Sequence, residues 1–223
     1  MEAQNKAERE DTDMAEDKRG KFIVFEGLDG SGKSTQIALL EAKLAALGRK
    51  VCRTAEPTDG ETGRRIRAAL SGDRPCTPAE LAAFFLADRI AHNEAPGAGF
   101  RRRLDAGEDV LCDRYYYSSF AYQGLETDLK WVADMNRNCP AIAKPDLCVF
   151  LDVDYRKCKE RLDAGRAKLE IYERDLGFME RTRAQFLKVF EALSGEDRIA
   201  VVDADRNVDA VAADVFAVVS EIL

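Results

Sequence analysis

The sequence predicts an α/β fold in which five parallel strands form one sheet and helices flank it. Two observations support this prediction. Five short apolar runs recur along the 223 residues, helical or polar stretches separate them, and the first run leads directly into a glycine-rich loop. Strands that alternate with helices indicate a parallel sheet, and a continuous apolar run such as LCVFLDV is typical of a strand buried on both faces.

The elements can be placed in order along the chain. The apolar runs predict strands at residues 22–25, 51–54, 110–112, 147–153 and 199–202. Helical periodicity predicts helices at residues 36–47, 63–70, 78–92, 155–164, 176–193 and 208–223. Pro78 suits the first turn of the third helix. Ligands of such sheets bind beyond the carboxyl ends of the strands, where the polar motifs of this chain also stand.

Length and composition favour a single domain that covers residues 21–223 and follows a charged tail. A chain with 46% hydrophobic side chains can bury one sizeable core. Residues 1–20 carry seven acidic and four basic side chains, so we predict a disordered tail that is neither a signal nor a transit peptide. The net charge of −7 and the pI near 5.0 disfavour nucleic acid and anionic membranes as partners.

The cysteines and histidines indicate a reduced, intracellular protein. None of the six cysteines stands in a C-x-x-C pair, and two of them lie inside apolar strand-like runs. His92 is the one histidine in the chain, so a zinc set of cysteines and histidines is not expected. No apolar stretch approaches the length that spans a bilayer. We therefore predict a cytoplasmic location with reduced thiols.

The glycine-rich loop predicts that the protein binds a nucleoside triphosphate. Its sequence GLDGSGKST has the spacing G-x-x-x-x-G-K-[ST] directly after a strand and before an amphipathic helix, which disfavours a turn without a ligand. The glycines let backbone N–H groups converge on phosphate oxygens, Lys33 reaches the outer phosphates, and the Ser34 hydroxyl can ligate Mg²⁺. The candidate ATP-binding residues are Gly27, Leu28, Asp29, Gly30, Ser31, Gly32, Lys33, Ser34 and Thr35.

Two further motifs lie where strands and helices end. Asp113 closes an apolar run and Arg114 follows it, which suits a partner of Mg²⁺ beside a phosphate clamp. Alone, Asp113 could equally be a solvated acid. Phe85 and Arg89 stand four residues apart on a predicted helix, so both lie on one face and could hold a nucleobase and its phosphate. The alternative is a core phenylalanine beside an arginine in a surface salt bridge.

Taken together, the blocks GLDGSGKSTQ, EPTDGETGRRIR, FFLADR, DRYYYSSFAYQG and PDLCVFLDV resemble the thymidylate kinases in order and spacing. The similarity covers nearly everything after the tail, and the pattern DRY-x-x-SS-x-AYQG is close to family-specific. The resemblance implies a P-loop nucleoside monophosphate kinase-like fold with a mobile lid at about residues 158–173. It also implies a homodimer that uses Mg²⁺ and moves the γ-phosphoryl group of ATP onto dTMP.

The resemblance further implies roles for individual residues. Asp29 would bond the sugar 3′-hydroxyl, Phe85 would stack on thymine, and Tyr122 would exclude a ribose 2′-hydroxyl. Glu56 would join the water network around Mg²⁺, beside Ser34 and Asp113. The complete set of implied substrate-binding residues is Asp29, Glu56, Pro57, Phe85, Arg89, Arg114, Ser118, Ser119, Tyr122 and Gln123.

The chain departs from the family pattern at several positions. Some thymidylate kinases carry an arginine inside the phosphate loop, where this chain has Gly30, so the catalytic cation should come from the lid. Arg166 is the preferred candidate because it follows Gly165, and Arg161 and Lys168 are the others. Ala55 and Ile171 stand where arginines are common, and the arginines that could compensate are Arg53, Arg64, Arg65 and Arg67.

The expected reaction needs positioning and charge neutralisation rather than a covalent nucleophile. Lys33, Asp113, Arg114 and a lid cation are the expected catalytic residues. Two other functions stay open at this point. One is a kinase for another nucleotide or nucleoside, and the other is a nucleotide-dependent switch or binding protein, although the chain lacks the N-K-x-D pattern that reads guanine.

Overall fold

The centre of the molecule is a parallel sheet of five strands, described here from a computed structural model of residues 19–165 and 169–223. The strands are β1 (Phe22–Glu26), β2 (Val51–Ala55), β3 (Asp109–Asp113), β4 (Leu147–Asp152) and β5 (Ile199–Asp203). Their order in the sheet is β2-β3-β1-β4-β5, and every neighbouring pair is parallel. The central strand β1 is buried along its whole length, as the apolar run at residues 22–25 predicts, and its last residue, Glu26, is buried as well.

Helices cover both faces of this sheet. They are α1 (Lys33–Ala46), α2 (Glu61–Leu70), α3 (Pro78–Glu94), α4 (Arg101–Asp105), α5 (Tyr116–Glu126), α6 (Leu129–Arg137), α7 (Tyr155–Gly165), α8 (Leu176–Leu193) and α9 (Val208–Ser220). A short 3₁₀ helix (Ile171–Glu173) precedes α8. Helix α3 begins with a reciprocal cap between Thr77 and Glu80, which explains its sharp start at Pro78.

The two faces of the sheet bury separate sets of side chains, because successive residues of a strand point to opposite sides. On one face, Val24 and Phe150 pack with the aromatic side chains of α5 and α8. On the other face, Phe25 and Val149 pack against α1, α7 and α9. An apolar layer therefore covers each face of the sheet, and the polar groups of the site lie at its carboxyl edge.

Strand register brings three chain segments together at that edge. Phe25 of β1 is opposite Asp113 of β3, and Asp113 is in turn opposite Ala55 of β2. The glycine-rich loop after β1, the turn after β3 and the Glu56 loop after β2 therefore emerge side by side. Parallel sheets place their ligands at this location.

The predicted fold class is confirmed, and all five strands and six helices occur close to the predicted positions. The prediction missed helices α4, α5 and α6. In α5 the eight residues from Tyr116 to Gln123 are all buried, so no polar face marks it as a helix in the sequence. Helix α4 has five residues, which are too few for periodicity to show. Helix α6 has nine residues after the cap Asp128 and was missed although its length is like that of the helix predicted at residues 63–70.

The last two residues of the predicted tail contact the folded part of the chain. Residues 1–18 of the predicted tail lie outside the described residues, whereas Arg19 and Gly20 already contact the fold, through Asp146 and the Leu104 carbonyl respectively. Residues 166–168 also lie outside the described residues. No helix within residues 19–165 and 169–223 is long and apolar enough to cross a membrane.

Candidate active site

The glycine-rich loop joins β1 to α1 and turns through three left-handed glycines. The φ angles of Gly27, Gly30 and Gly32 are 146°, 85° and 95°. A Cβ atom on Gly27 would lie 2.9 Å from the Leu151 carbonyl oxygen, and one on Gly30 would lie 2.7 Å from that of Cys158. Glycine is therefore required at both positions by conformation and by space, and α1 begins directly behind the loop.

Lys33 lies inside this loop and is almost fully buried. Its ammonium group donates to the carbonyl oxygens of Gly27 and Leu28 at 3.1 and 3.2 Å, and lies 3.9 Å from Asp113 Oδ1. Burial, and then the charge of Arg114, lower the pKa of Lys33, while Asp113 and Asp29 oppose that shift. A phosphate bound at this position would give the Lys33 ammonium group charged partners in place of the two carbonyl oxygens.

Ser34 and Asp113 form the part of the site that suits Mg²⁺. The Ser34 hydroxyl donates to Asp113 Oδ2 at 3.5 Å. Asp113 Oδ1 is buried and accepts no hydrogen bond from any residue that the structure describes. A hydroxyl beside an unsatisfied carboxylate oxygen is the hard oxygen donor set that Mg²⁺ prefers. These residues fit the predicted metal.

Glu56, the third predicted metal residue, has both carboxylate oxygens engaged by helix α3. Oε2 accepts from Arg89 Nε at 2.8 Å and lies 2.6 Å from its Nη2, while Oε1 is 3.0 Å from His92 Nδ1. The other ring nitrogen of His92 lies 2.5 Å from the Thr54 hydroxyl on β2. Glu56 is thus the centre of a buried network that fixes the loop after β2 to α3.

Arg114 holds an unusual backbone conformation beside the loop. Its φ of 69° is the one positive value at a non-glycine residue within the described chain, and such a conformation costs roughly 1–2 kcal/mol. Its Nη2 lies 2.8 Å from Asp29 Oδ2, its Nη1 donates to Ser118 Oγ at 3.0 Å, and its guanidinium lies 5.3 Å from the ring centroid of Tyr122. The side chain therefore joins the loop to α5.

Two adjacent cavities open at the carboxyl edge of the sheet. The loop cavity is lined by part of the glycine-rich loop and by Ala55 and Asp113. The aromatic cavity is lined by Phe85, Tyr122 and Tyr172 together with polar residues of α5. Both cavities share a wall of five residues, which are Asp29, Glu56, Pro57, Arg67 and Arg114.

The structure brings most of the predicted site residues to these cavities. Gly30, Gly32, Lys33, Ser34, Thr35 and Asp113 line the loop cavity, whereas Gly27, Leu28 and Ser31 do not. Every predicted substrate-binding residue lines the aromatic cavity except Ser119, which is buried behind it. The Ser119 hydroxyl is 3.3 Å from Arg89 Nη1, so it supports that side chain from below the cavity.

Arg89 and Phe85 settle the two interpretations that the sequence left open. Arg89 is 1% exposed and donates to Asn136 Oδ1 at 2.5 Å in addition to Glu56, so the surface salt bridge was the wrong interpretation. Phe85 is half-buried and its side chain lines the aromatic cavity, so it is not simply a core residue. An aromatic ring and a buried guanidinium share one wall, as the spacing of four predicted.

Among the four arginines that could compensate for Ala55, Arg67 is the one that lines the cavities. It donates to the carbonyl oxygens of Pro57 and Thr58 at 2.6 and 2.5 Å. Arg53 pairs with Glu41 on the surface, while Arg64 and Arg65 donate to the Asp59 and Arg74 carbonyls. The spacing offered a signal, because Arg67 is four residues after Gly63, which is buried in α2, although the Arg67 side chain itself is exposed.

Sequence reasoning also missed Leu70, Tyr115, Glu170 and Tyr172, which complete the aromatic cavity. Tyr172 stacks on Phe178 with 4.8 Å between ring centroids and packs against Tyr122 at 5.4 Å. Its neighbour Ile171, noted as a departure from the family pattern, is partly exposed. The aromatic residue of that pattern therefore contributes to the cavity even though the arginine before it is absent.

The lid candidates have different outcomes. Arg161, on α7, donates from Nη1 to the Gly30 carbonyl oxygen at 2.9 Å and so reaches the glycine-rich loop. Arg166 and Lys168 lie outside the described residues. The close contact between Gly30 and Cys158 of α7 also explains why a large side chain is absent from this point of the loop.

Comparisons with known proteins find relatives of this chain. The family model described as thymidylate kinase matches residues 25–215. A thymidylate kinase of Solidesulfovibrio magneticus is 39% identical over 213 residues, which cover 91% of this chain and 100% of that protein. The thymidylate kinases of Pelotomaculum thermopropionicum and Leifsonia xyli are 38% and 40% identical over 92% and 88% of this chain, and over 95% and 92% of their own lengths.

Proposed function

The chain belongs to the thymidylate kinase family, and we propose that it transfers the γ-phosphoryl group of ATP to dTMP, giving ADP and dTDP. One observation carries this proposal beyond the family name. The loop cavity and the aromatic cavity share a wall that contains Arg67 and Arg114. A donor phosphate in the first cavity and an acceptor phosphate in the second would meet at these two cations, in the close approach that direct transfer requires.

The glycine-rich loop would bind the donor. Backbone N–H groups at the start of α1 and the Lys33 ammonium would hold the β- and γ-phosphates. Lys33 is buried, donates to two neutral carbonyl oxygens and lies 3.9 Å from Asp113, so a phosphate would replace the neutral partners with charged ones. Ser34 and Asp113 would hold Mg²⁺, which when bound neutralises charge on the phosphates.

The aromatic cavity would bind the acceptor nucleotide. Phe85 suits stacking on the base, and Tyr122 lies between Arg114 and Tyr172, where it can restrict the sugar. Asp29 lines both cavities, which supports a contact with the sugar hydroxyl. Ser118 and Gln123 add polar groups on the α5 side.

Three arginines would share the acceptor phosphate unequally. The Nε, Nη1 and Nη2 atoms of Arg89 are all within bonding distance of buried partners, so we assign it mainly to fixing Glu56 and the cavity wall. Arg67 and Arg114 line both cavities and are therefore assigned to the phosphate itself. The acceptor phosphate is already an anionic nucleophile, so charge neutralisation matters more than a general base.

The cation of the transition state is assigned to the region after β4. Arg161 reaches the loop in the structure and supports this role directly. Arg166, preferred from the sequence, remains a second candidate. A cation at this position would act as an arginine finger does, by neutralising charge on the transferring phosphoryl group.

Release of ADP with different acceptors tests the proposal. The purified protein with Mg²⁺ and ATP is offered dTMP, dUMP, UMP, CMP, AMP, GMP or thymidine in separate reactions. We expect kcat/KM to be highest for dTMP. Turnover with another acceptor alone would keep the chemistry and contradict the assignment of the aromatic cavity, while ATP binding without turnover would favour a nucleotide-dependent switch.

Two further properties concern the oligomeric state and the location of the protein. We propose a homodimer, because α3 presents the exposed residues Ala83 and Ala87 beside the partly exposed Phe84 and Ile90. Sedimentation equilibrium, with a monomer mass as the contradicting result, tests this. We also propose a cytoplasmic location, which the six free cysteines favour. Fractionation of cells with an antibody against the protein would test it.

A further inference from the structure

Glu26 is a fully buried carboxylate that the proposed reaction does not use. It is the last residue of β1, directly before the glycine-rich loop, and is 0% exposed. Oε1 accepts from the backbone N–H groups of Tyr115 and Ser118 at 2.9 and 3.0 Å, and Oε2 accepts from the Ser118 hydroxyl at 2.6 Å. Burial of a carboxylate is costly unless the group is hydrogen-bonded, so these three hydrogen bonds indicate a structural role for Glu26.

Those three donors belong to the first turn of helix α5. The residue before the helix, Tyr115, provides no side-chain cap of its own. Glu26 therefore supplies the missing cap from a neighbouring strand, with its negative charge at the positive end of the helix. The cap connects the last residue before the glycine-rich loop to the helix that lines the aromatic cavity.

Arg114 lies between these two elements and depends on both. Its backbone N–H donates to the Phe25 carbonyl at 2.9 Å, one residue before Glu26, and the next N–H in the chain, of Tyr115, donates to Glu26 itself. The positive φ of Arg114 is thus held by β1 on both sides of the turn. Its Nη1 donates to Ser118 Oγ, and the Ser118 hydroxyl in turn donates to Glu26.

We propose that Glu26 is a positioning residue for the acceptor phosphate: its carboxylate fixes the left-handed turn of Arg114 and directs the Ser118 hydroxyl, so that the Arg114 guanidinium faces the wall shared by the two cavities. Glu26 does not touch the substrate. The proposal rests on the proposed kinase function, because it assigns Arg114 to that phosphate.

The ionisation of Glu26 supports this geometry. Burial raises its pKa to about 7, against the charge of Arg114 and the three hydrogen bonds, which lower it. Besides Arg114, the ionisable groups whose charges interact with it are those of Lys33, Tyr122, Cys112 and Cys148. The ionised form accepts from Ser118 and attracts Arg114. Protonation as the pH falls through about 7 removes both effects, so acceptor binding weakens on the acid side.

Glu26→Gln tests the proposal, because glutamine keeps the size and one acceptor oxygen but presents an N–H₂ group to Ser118. We expect the KM for dTMP to rise about tenfold at pH 8.5, while the KM for ATP stays within about twofold. Asp109→Asn is the matched control. Asp109 is also buried and bonds a backbone N–H and an arginine, Lys21 N and Arg49, but at the opposite end of β3.

The pH profile separates positioning from a merely structural role. The ratio of kcat/KM for dTMP between the wild type and Glu26→Gln should fall from about ten at pH 8.5 towards one at pH 6. The ionisation of dTMP cancels in this ratio because both proteins use the same acceptor. The ratio for Asp109→Asn should stay flat. Glu26→Asp keeps the charge and should retain a pH-dependent KM, and it also serves if Glu26→Gln does not fold.

Three results would overturn the proposal. They are an unchanged KM for dTMP in Glu26→Gln, an equal rise for both substrates, and a flat ratio across the pH range. The shift in melting temperature on adding dTMP gives a second readout without turnover, and it should be smaller in Glu26→Gln than in Asp109→Asn. A wild type that phosphorylates another monophosphate contradicts the proposed function alone, since the same comparison then uses that acceptor.

Discussion

The glycine-rich loop and the aromatic cavity are proposed to hold the same chemical group, a phosphate, but they are built in opposite ways. The loop is nine consecutive residues whose shape comes from backbone conformation at three glycines. The aromatic cavity draws side chains from the loop, from the segment after β2, from α2, α3 and α5, and from the segment before α8. One site is encoded locally, whereas the other exists only after the chain has folded.

The functional residues of the two regions therefore differ in how much they contribute to the stability of the fold. In the loop, the main cation, Lys33, donates to two carbonyl oxygens and lies 3.9 Å from Asp113, but burial lowers its pKa, so it contributes little to the stability of the fold. In the aromatic cavity, Arg89 and Glu56 form a buried pair that connects α3 to the segment after β2, so the same residues hold the fold and the site. Substitutions should therefore affect the two regions differently.

Lys33→Ala should lower kcat by about a thousandfold or more, because the cation proposed to neutralise the transferring phosphoryl group is lost. The melting temperature should change little, because burial lowers the pKa of Lys33 even with Asp113 3.9 Å away, so the folded state already disfavours this cation. Kinetics of ADP release and thermal unfolding measure the two effects. Lys43→Ala, an exposed lysine of the same helix, is the control and should alter neither. A large drop in stability for Lys33→Ala would remove the contrast.

Arg89→Met should lower the free energy of unfolding by about 3–5 kcal/mol, because Glu56 is left as a buried charge without its arginine. Urea unfolding at pH 7 measures this. Arg53→Met removes a pair with Glu41 in which both side chains are partly exposed, and should cost less than about 1 kcal/mol. Equal costs for the two substitutions would mean that the buried network does not support the cavity.

Arg67→Ala should raise the KM for dTMP about tenfold and leave the KM for ATP nearly unchanged, because one of the two cations proposed to hold the acceptor phosphate at the shared wall is removed. Steady-state kinetics with each substrate varied in turn measure the split. Arg64→Ala, on the same helix but with its donor on the Asp59 carbonyl, is the control. An equal rise of both KM values would place Arg67 on the donor side instead.

Tyr122→Ala should raise the activity on UMP relative to dUMP about fivefold, because the ring that is proposed to crowd the sugar is removed. The two acceptors differ at the 2′ position alone, so their ratio isolates the sugar contact. Tyr122→Phe keeps the ring and should leave the ratio unchanged. If Tyr122→Ala also leaves it unchanged, Tyr122 has no part in sugar discrimination.

The sequence predicted the features that are encoded locally and missed those that exist only in the folded chain. Strand β1 and the loop are local patterns, and so are Phe85 and Arg89, whose spacing placed both on one wall. The hydrogen-bond network around Glu56 and Arg89 was not predictable, because its members His92, Asn136 and Ser119 belong to three separate helices that meet only in the fold. Helix α5 was missed for a related reason: burial on all sides removed the periodicity that marks a helix.

The close approach of Gly30 to Cys158 also restricts how this protein can evolve. An arginine in the loop would meet the backbone of α7, whose Arg161 already bonds the Gly30 carbonyl. Moving the proposed catalytic cation from α7 to the loop therefore needs at least two coordinated changes, a shifted helix and a new loop residue. Gly30→Arg alone would disturb the packing of α7 before it added a useful charge, so we expect a single substitution not to convert one arrangement into the other.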